Sequence, residues 1–558
     1  MEKTLTYLSG EVVGGIFLYL SLIFVLLFVW GFMIRYSPVV NRRKFTRIVF
    51  FLVGMIVLTF VAQRMARPPV PVNQYAAIIP LPADGSGPYA GSTWAASEIT
   101  TSIMEQGGPA HIHLLRPEWQ VDAFQTDSLA YRAFANTADL LSWAKLVRLS
   151  YIATVSVSIS EKEARLDLSI LYVREGTVLD SVRQQISLVR ETDVRAALLD
   201  FCGLAAKKLL HQMGEKLTDN RVNTSAYDTP SLWSYSRGRL ALLSENRPES
   251  LPYFEQAIAA DSSSAIAYYG AGLAHGELML RATNDADHQS RQARTEYHLK
   301  RANQLNEGFQ PSLSALAYYF MFFKPEPRYL DAEIALIAGN LLYAGDYVTY
   351  DVLSYMQPIR WETFELSSRE QVLEKALEVN PAAFDIYVRL ARSYLELSKP
   401  HDYRAKKALE LFTIAHELRP DDFVAVLGLV QAADYMAQYD RAIKLLERME
   451  SMYPQKPDVY YNLGVVTYHL GISMKPKKKK EEELAYYRQA EEYFRKSIEL
   501  KKDYGYAYLY LAKIYKFTSQ RDAAIDALRT AMRVLKPEDR YREEARKTLR
   551  DYFPDVED

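Results

Sequence analysis

Residues able to do chemistry are few in this chain and poorly grouped. Cys202 is the only cysteine among 558 residues, which excludes an intramolecular disulfide framework and any cysteine-based zinc site. It follows Phe201 in a segment patterned as a helix, a setting that suits a buried, inert thiol. A nucleophile would need exposure and nearby positive charge. His111 and His113 share one face of a strand and have the spacing to ligate a metal, but no neighbouring Cys or His completes a ligand set. The run Gly85-Ser86-Gly87-Pro88-Tyr89-Ala90-Gly91 lies between a strand and a helix, where a dinucleotide site requires G-x-G-x-x-G. Its third glycine comes one residue late, a proline interrupts the turn, and no Lys-Ser or Lys-Thr follows to make a P-loop. It reads as a structural loop. Lys475-Pro476-Lys477-Lys478-Lys479-Lys480 has the charge to touch anionic lipid or nucleic acid. Glu481-Glu482-Glu483 cancel part of it, and an insertion between packed helices is solvated in any case. No nucleophile–base pair, metal set or cofactor site emerges. The chain is expected to be no enzyme, to need no cofactor and to bind no nucleic acid, which fits its net charge of −1.

The elements that would position these residues fall into regions of different patterning. After a tail over 1–11, residues 12–34 form an uncharged run of 23, enough to cross a bilayer core of ~30 Å. The run is too long for a signal peptide and lacks a small-x-small cleavage site. A weaker apolar segment over 45–66 spans if its flanking arginines snorkel outward. The basic residues Arg35, Arg42, Arg43, Lys44 and Arg47 favour a cytoplasmic connector over 35–44. A proline-rich linker over 67–74 follows. The expectation is a membrane-anchored chain with two transmembrane helices, in the bacterial inner membrane. Both termini and the large carboxy-terminal region would then lie in the periplasm.

Over 75–215 the pattern is that of a small α/β domain. Tyr75 to Leu81 is a continuous apolar run, as expected of a strand buried on both faces. A helix from about Ser92 to Gln106, a short strand to Leu115 and a helix from Thr137 follow. Three strands then alternate with period two, Ala153, Val155, Val157 and Ile159 facing one way. A helix from about Thr192 to Met213 closes the unit.

A linker over 216–230 leads into 231–537, where an all-α solenoid is expected. Pro420 and Pro454 lie 34 residues apart, and each closes a run with small and bulky residues at matching offsets. Ala408, Phe412 and Ala415 precede the first; Ala442, Leu446 and Met449 precede the second. Ala490, Phe494 and Ser497 repeat the pattern, as do Ala524, Leu528 and Ala531. First helices carry Tyr387-Leu390-Ala391-Tyr394 and Tyr508-Leu511-Ala512-Tyr515. Small residues admit close helix approach and aromatics fill the gap to the next unit, so units must stack. Insertions are expected at about Arg281 to Gln292, at Lys399 to Tyr403 and at the lysine run. Pro311 to Leu366 fits the period poorly, and 538–558 reads as a capping helix and tail.

The 34-residue beat resembles the tetratricopeptide repeat (TPR), a helix–turn–helix unit. The α/β region resembles the TolB amino-terminal-like domain and its CsgG-like relatives. That likeness rests on Ala76-Ala77-Ile78-Ile79-Pro80-Leu81, Tyr151-Ile152-Ala153-Thr154-Val155-Ser156-Val157, and Leu168-Ser169-Ile170-Leu171 leading to Gly176-Thr177-Val178-Leu179. The first resemblance implies a concave protein-binding groove formed by first-helix positions: Arg392, Gln431, Tyr461, Val465, Tyr468, Lys513 and Lys516. Tyr461 and Tyr468 lie two helical turns apart and share a face; the other reading packs both between repeats. The carboxylate-gripping set of some relatives is absent. Combined with the expected membrane hairpin, the two resemblances imply a membrane-anchored extracytoplasmic scaffold positioning proteins of an envelope assembly of secretion, pilus or flagellar type. A homo-oligomer through the α/β domain is a further expectation. The alternative is a ligand-binding sensor acting through the α/β domain and membrane partners.

Overall fold

The computed structural model describes residues 73–556 apart from 82–88, 90, 110, 116–136, 161–162, 188–190, 218–223, 244–246, 344–345 and 475–479. The two segments expected to cross a bilayer, 12–34 and 45–66, lie outside the described residues. Among the described residues no helix is long and apolar enough to cross a membrane. The membrane-anchored class is therefore corrected to a mostly helical repeat solenoid carrying a small sheet domain. The two-pass inner-membrane placement is likewise not supported.

The sheet domain has strands β1 (Gln74–Pro80), β2 (Ile112–Leu115), β3 (Tyr151–Ile159), β4 (Glu163–Tyr172) and β5 (Thr177–Ser187), in the order β2-β1-β3-β4-β5. β1 runs parallel to β2 and β3, while β3, β4 and β5 form an antiparallel meander. Alternation decides the faces. Ala76, Ile78, Ala153, Val155 and Leu168 pack under helices α1 (Ser92–Gly107) and α3 (Glu191–Gln212). Ala77, Ile79, Ile152 and Leu171 pack on the other side under α2 (Thr137–Leu146) with Trp143 and Ala144. The unbroken apolar run of β1 thus serves two cores. β1 ends at Pro80 opposite Val155, and the Thr93 hydroxyl takes over there. It accepts from the Val157 N–H at 2.9 Å and donates to the Val157 carbonyl at 3.1 Å. Cys202 is fully buried on α3, its thiol held near the Ala96 carbonyl and pushed up to about 12 by burial. It is an inert core residue.

The solenoid is a series of helix pairs. α4 (Leu232–Leu243) and α5 (Ser250–Ala260) form unit 1; α6 (Ala265–Leu280) and α7 (Asp285–Leu305) form unit 2. Units 3 and 4 are α8 (Gln310–Phe320) with α9 (Tyr329–Leu342), and α10 (Tyr347–Leu353) with α11 (Arg369–Val379). Units 5 and 6 are α12 (Phe384–Glu396) with α13 (Tyr403–Leu418), and α14 (Phe423–Tyr435) with α15 (Tyr439–Met452). Units 7 and 8 are α16 (Pro457–Met474) with α17 (Lys480–Leu500), and α18 (Gly505–Phe517) with α19 (Arg521–Val534); α20 (Arg540–Tyr552) ends the series. Several helices start on a side chain that accepts a free amide of the first turn, as Ser264, Asn284, Ser368, Asp402 and Asp422 do. Ala408, Phe412, Ala442, Leu446, Ala490, Phe494, Ala524 and Leu528 are all fully buried. The contact is closest at glycine: a Cβ on Gly428 would lie 2.2 Å from the Phe412 ring, and one on Gly464 2.6 Å from Phe494. No side chain fits there, so the aromatic ring sets the distance between helices.

Two departures from the expected repeat have local causes. The polar stretch expected as a long turn after Arg281 is a turn only as far as Asn284. Asn284 caps α7, Asp285 and Asp287 occupy its first turn, and Asp287 pairs with Arg291 at 3.2 Å. Unit 4 breaks the period because α10 has seven residues and two 3₁₀ turns, Pro358–Arg360 and Glu362–Phe364, fill the connection to α11. The Trp361 indole holds that connection by donating to the Leu353 carbonyl at 2.8 Å.

The sheet domain and the first units share one core, which runs from Ala76 through Phe254 to Val372. Tyr89 meets Trp233 edge-on at 5.1 Å. Gly91 has φ +91°, and a Cβ there would lie 2.7 Å from the Ser236 carbonyl oxygen. This glycine is required by packing on α4 and by its backbone angle. Glu98, on α1, accepts from the Tyr235 hydroxyl at 2.5 Å, from Arg239 at 3.3 Å and from the Trp94 indole at 3.2 Å. Such a desolvated carboxylate is tolerable because every contact is a donor. The domain also reaches the middle of the solenoid. Asn73 donates to Glu378 at 3.2 Å, and Ala382 and Leu418 pack with Trp143 and Leu140.

Candidate protein-binding groove

The first helices of units 5 to 7 present successive residues to a common concave face, which a side chain enters only if its helix turns it away from the paired second helix. On α16 that row is Tyr461, Val465 and His469, spaced by four along the shallow i, i+4 ridge. α12 contributes Arg392, and α14 contributes Gln431, Asp434 and Tyr435. The cap helix α20 brings Arg540 and Tyr541 to the same space. Together they line a cavity of about 730 Å³, within the size range of ligand sites.

Arg392 and Gln431 are exposed, and among the described residues neither has a polar partner. Tyr461 sits in an aromatic wall, its ring 5.3 Å from Tyr504, 5.9 Å from Tyr510 and 6.2 Å from Tyr506. Tyr506 in turn meets Tyr541 edge-on at 5.3 Å, which fixes the cap against the groove. Burial raises the pKa of the Tyr461 and Tyr510 phenols, so both stay neutral hydroxyls able to donate. His469 Nδ1 lies 2.8 Å from the Asp434 carboxylate. The carboxylate selects the Nδ1–H tautomer, leaving Nε2 as the ring's remaining polar atom. This contact ties unit 6 to unit 7 at the groove floor.

Of the residues singled out from the sequence, Arg392, Gln431, Tyr461 and Val465 line the cavity. Tyr468 is 5% exposed and packs on Tyr487 at 5.5 Å and Tyr510 at 5.6 Å. A seven-residue step falls short of two full turns, and here it carries the side chain between α16 and α17. Lys513 is paired with Glu544 at 2.8 Å and lies over the Tyr510 ring; Lys516 lies over Tyr552. Both are held by α20. Sequence reasoning missed Asp434, His469, Arg540 and Tyr541. The first two follow chosen positions by three and four residues and were within its reach; the cap residues lie outside the repeat and carried no signal. Asn462, where some relatives grip a carboxylate, donates to the Asp458 carbonyl at 2.7 Å.

The remaining candidates are separately engaged. His111 pairs with Glu215 at 3.0 Å, while His113 is buried and stacked on Tyr75 at 5.3 Å. His111 precedes β2 instead of lying within it. No cluster of three or more His, Cys, Asp or Glu side chains suited to a metal occurs among the described residues. The lysines 475–479 lie outside the described residues, and Glu481, Glu482 and Glu483 occupy the first turn of α17, where the helix dipole favours them.

The tetratricopeptide-repeat family profile matches residues 235–277 and 427–493, within units 1–2 and 6–7. No curated protein matches the chain. Among solved structures, a tetratricopeptide repeat protein from Parabacteroides merdae is 13% identical, with a TM-score of 0.32 over 50% of this chain and 98% of that one. A human IFIT1 dimer with m7Gppp-AAAA is 14% identical, with a TM-score of 0.31 over 61% of this chain and 78% of that one. YrrB, a TPR protein with an unusual peptide-binding site, is 17% identical, with a TM-score of 0.23 over 46% of this chain and 95% of that one. Scores this low carry no argument; the assignment rests on the profile and on the paired helices. Such repeats are typically non-catalytic. This chain carries tetratricopeptide repeats, the architecture of a protein–protein interaction scaffold.

Proposed function

We propose that the groove of units 5 to 8 is where the scaffold holds its protein partner, with Arg392, Gln431, Tyr461 and Val465 as contact residues. The observation carrying this reading is the contrast between the two halves of the solenoid. The first units are packed on the chain's own sheet domain, whereas the later ones enclose an open cavity with aromatic walls and unpaired polar side chains. Aromatic and arginine side chains in a recess are what protein-binding hot spots use. The recess is short, so it takes a few residues of a partner, with the rest of the interface lying on the rim. The sheet domain acts as a fixed support, and its likeness to TolB amino-terminal-like and CsgG-like domains rests on the order of its elements.

The test is recovery of partners on the immobilised full chain. Arg392→Ala with Gln431→Ala is compared with Lys444→Ala on the outer face of α15. The reading expects the double variant to lose at least ~10-fold in binding, the effect of about 1.4 kcal/mol, with the control unchanged. Equal binding by all three proteins would place the partner site elsewhere.

A further inference from the structure

One helix of the solenoid turns an apolar face to solvent. On α9, Leu330, Ile334 and Leu341 are 61%, 57% and 83% exposed, and Ile337 between them is half-buried. From Ile334 to Tyr343 the chain carries no charge. The second helices of later units differ: α15 exposes Asp440, Lys444 and Arg448, and α19 exposes Asp522, Asp526 and Arg529. A single exposed leucine means nothing, but a continuous apolar stripe marks an interface.

The stripe also says what covers it. Its positions are spaced four, three and four, as in a coiled-coil seam, and its residues read Leu, Ile, Ile, Leu from either end. Two copies of α9 laid antiparallel about a twofold axis place Leu330 against Leu341 of the second copy, and Ile334 against Ile337. The face is complementary to itself, as an isologous contact demands. Its rim raises no like-charge repulsion, because the rim charges are already neutralised within the chain. Arg328 pairs with Glu296 at 2.9 Å and Asp331 at 2.7 Å, and Arg360 pairs with Glu333. Beside those ion pairs, Tyr297 is 59% and Ile359 72% exposed, which extends the apolar area on both flanks.

We infer that α9 is the seam of a homodimer of this chain, an antiparallel helix pair centred between Ala335 and Leu336. This seam is independent of the groove and distinct from β2 and β5, the edge strands of the sheet. Disulfide trapping tests both the dimer and its register, because Cys202 is fully buried and adds no background. In the full chain, Leu330→Cys with Leu341→Cys should oxidise to a covalent dimer. Either single variant should yield at most a tenth as much, since like positions sit about 16 Å apart along the axis. Ile334→Asp, at a solvent-exposed site, should halve the mass seen by sedimentation to the 63.9 kDa monomer with helicity unchanged. A monomeric wild type, single variants that cross-link as well as the double, or an Ile334→Asp protein that stays dimeric would each overturn the seam.

Discussion

Units 1 and 7 are built alike and used differently. In each, a buried phenylalanine of the second helix, Phe254 or Phe494, packs against a glycine-bearing first helix. In unit 1 the far side of that first helix is covered: Trp233 meets Tyr89 edge-on, and Tyr235 and Arg239 both donate to Glu98 of the sheet domain. In unit 7 the corresponding row, Tyr461, Val465 and His469, faces a cavity. Repeat packing therefore does not by itself make a binding site. A repeat surface becomes available only where the chain's own domain leaves it open.

The sharpest way to break this comparison is to remove one anchor from each half. Phe494→Ala should cost about 3–5 kcal/mol through the cavity it leaves. Because repeats couple mainly to neighbours, hydrogen exchange should rise in α16 to α20 and not in the sheet. Glu98→Ala should cost a similar ~3–5 kcal/mol by removing the buried acceptor that Arg239, Tyr235 and Trp94 share, with protection lost in α1 and α4 together. If exchange rose only in α1, the sheet domain and unit 1 would be separable bodies.

Acid should act on the covered half first. His275 and His298 are stacked at 5.4 Å between α6 and α7, and burial holds each imidazole down at about 4 against the usual 6.5. The unfolded chain takes up these protons as pH falls below 6.5, while the folded chain does not until about 4. Stability contributed by the neutral pair is thus complete above pH 6.5 and lost progressively between 6.5 and 4. Since one pKa unit is worth about 1.4 kcal/mol, the loss should amount to roughly 3 kcal/mol per imidazole, and less for the part-exposed His298. Thermal melts from pH 7 to 4 should show it, and His298→Gln should flatten the slope. An identical slope in the variant would remove this pair from the account.

Within the open half, the groove wall and the core behind it should respond oppositely. Tyr468→Ala should lower stability by about 3 kcal/mol, as loss of a buried aromatic does. Arg392→Ala and Gln431→Ala should change it by less than ~0.5 kcal/mol while weakening partner binding. If melting and binding moved together in all three, the groove would not be separable from the core. The smallest effect expected is that of Lys513→Ala. Its pair with Glu544 is partly exposed and worth about 0–1 kcal/mol.

The register of units 5 to 8 was legible in the sequence because their helices keep the spacing of small and bulky residues intact, from Ala408 to Ala531. The sheet was legible for the same reason, since alternation at Ala153 to Ile159 admits one assignment of faces. Unit 4 was not, because a seven-residue helix is too short to show a period and its support comes from Trp361, outside any repeat position. Within the groove, Tyr461 was identifiable from its helix, but the burial of Tyr468 depends on where α17 crosses α16.

Outside unit 4 and the start of α7, the sequence by itself determined which segments are helix or strand, which face of each is apolar, and that the helices must pair and stack. Those properties follow from side-chain spacing along one element. Only the tertiary structure decided that the sheet domain covers the first units and reaches Glu378, and that α20 brings Arg540 and Tyr541 to the cavity also lined by Tyr435. Such contacts join residues more than a hundred positions apart. They depend on the accumulated rotation from one repeat to the next, a quantity that no single repeat's sequence contains.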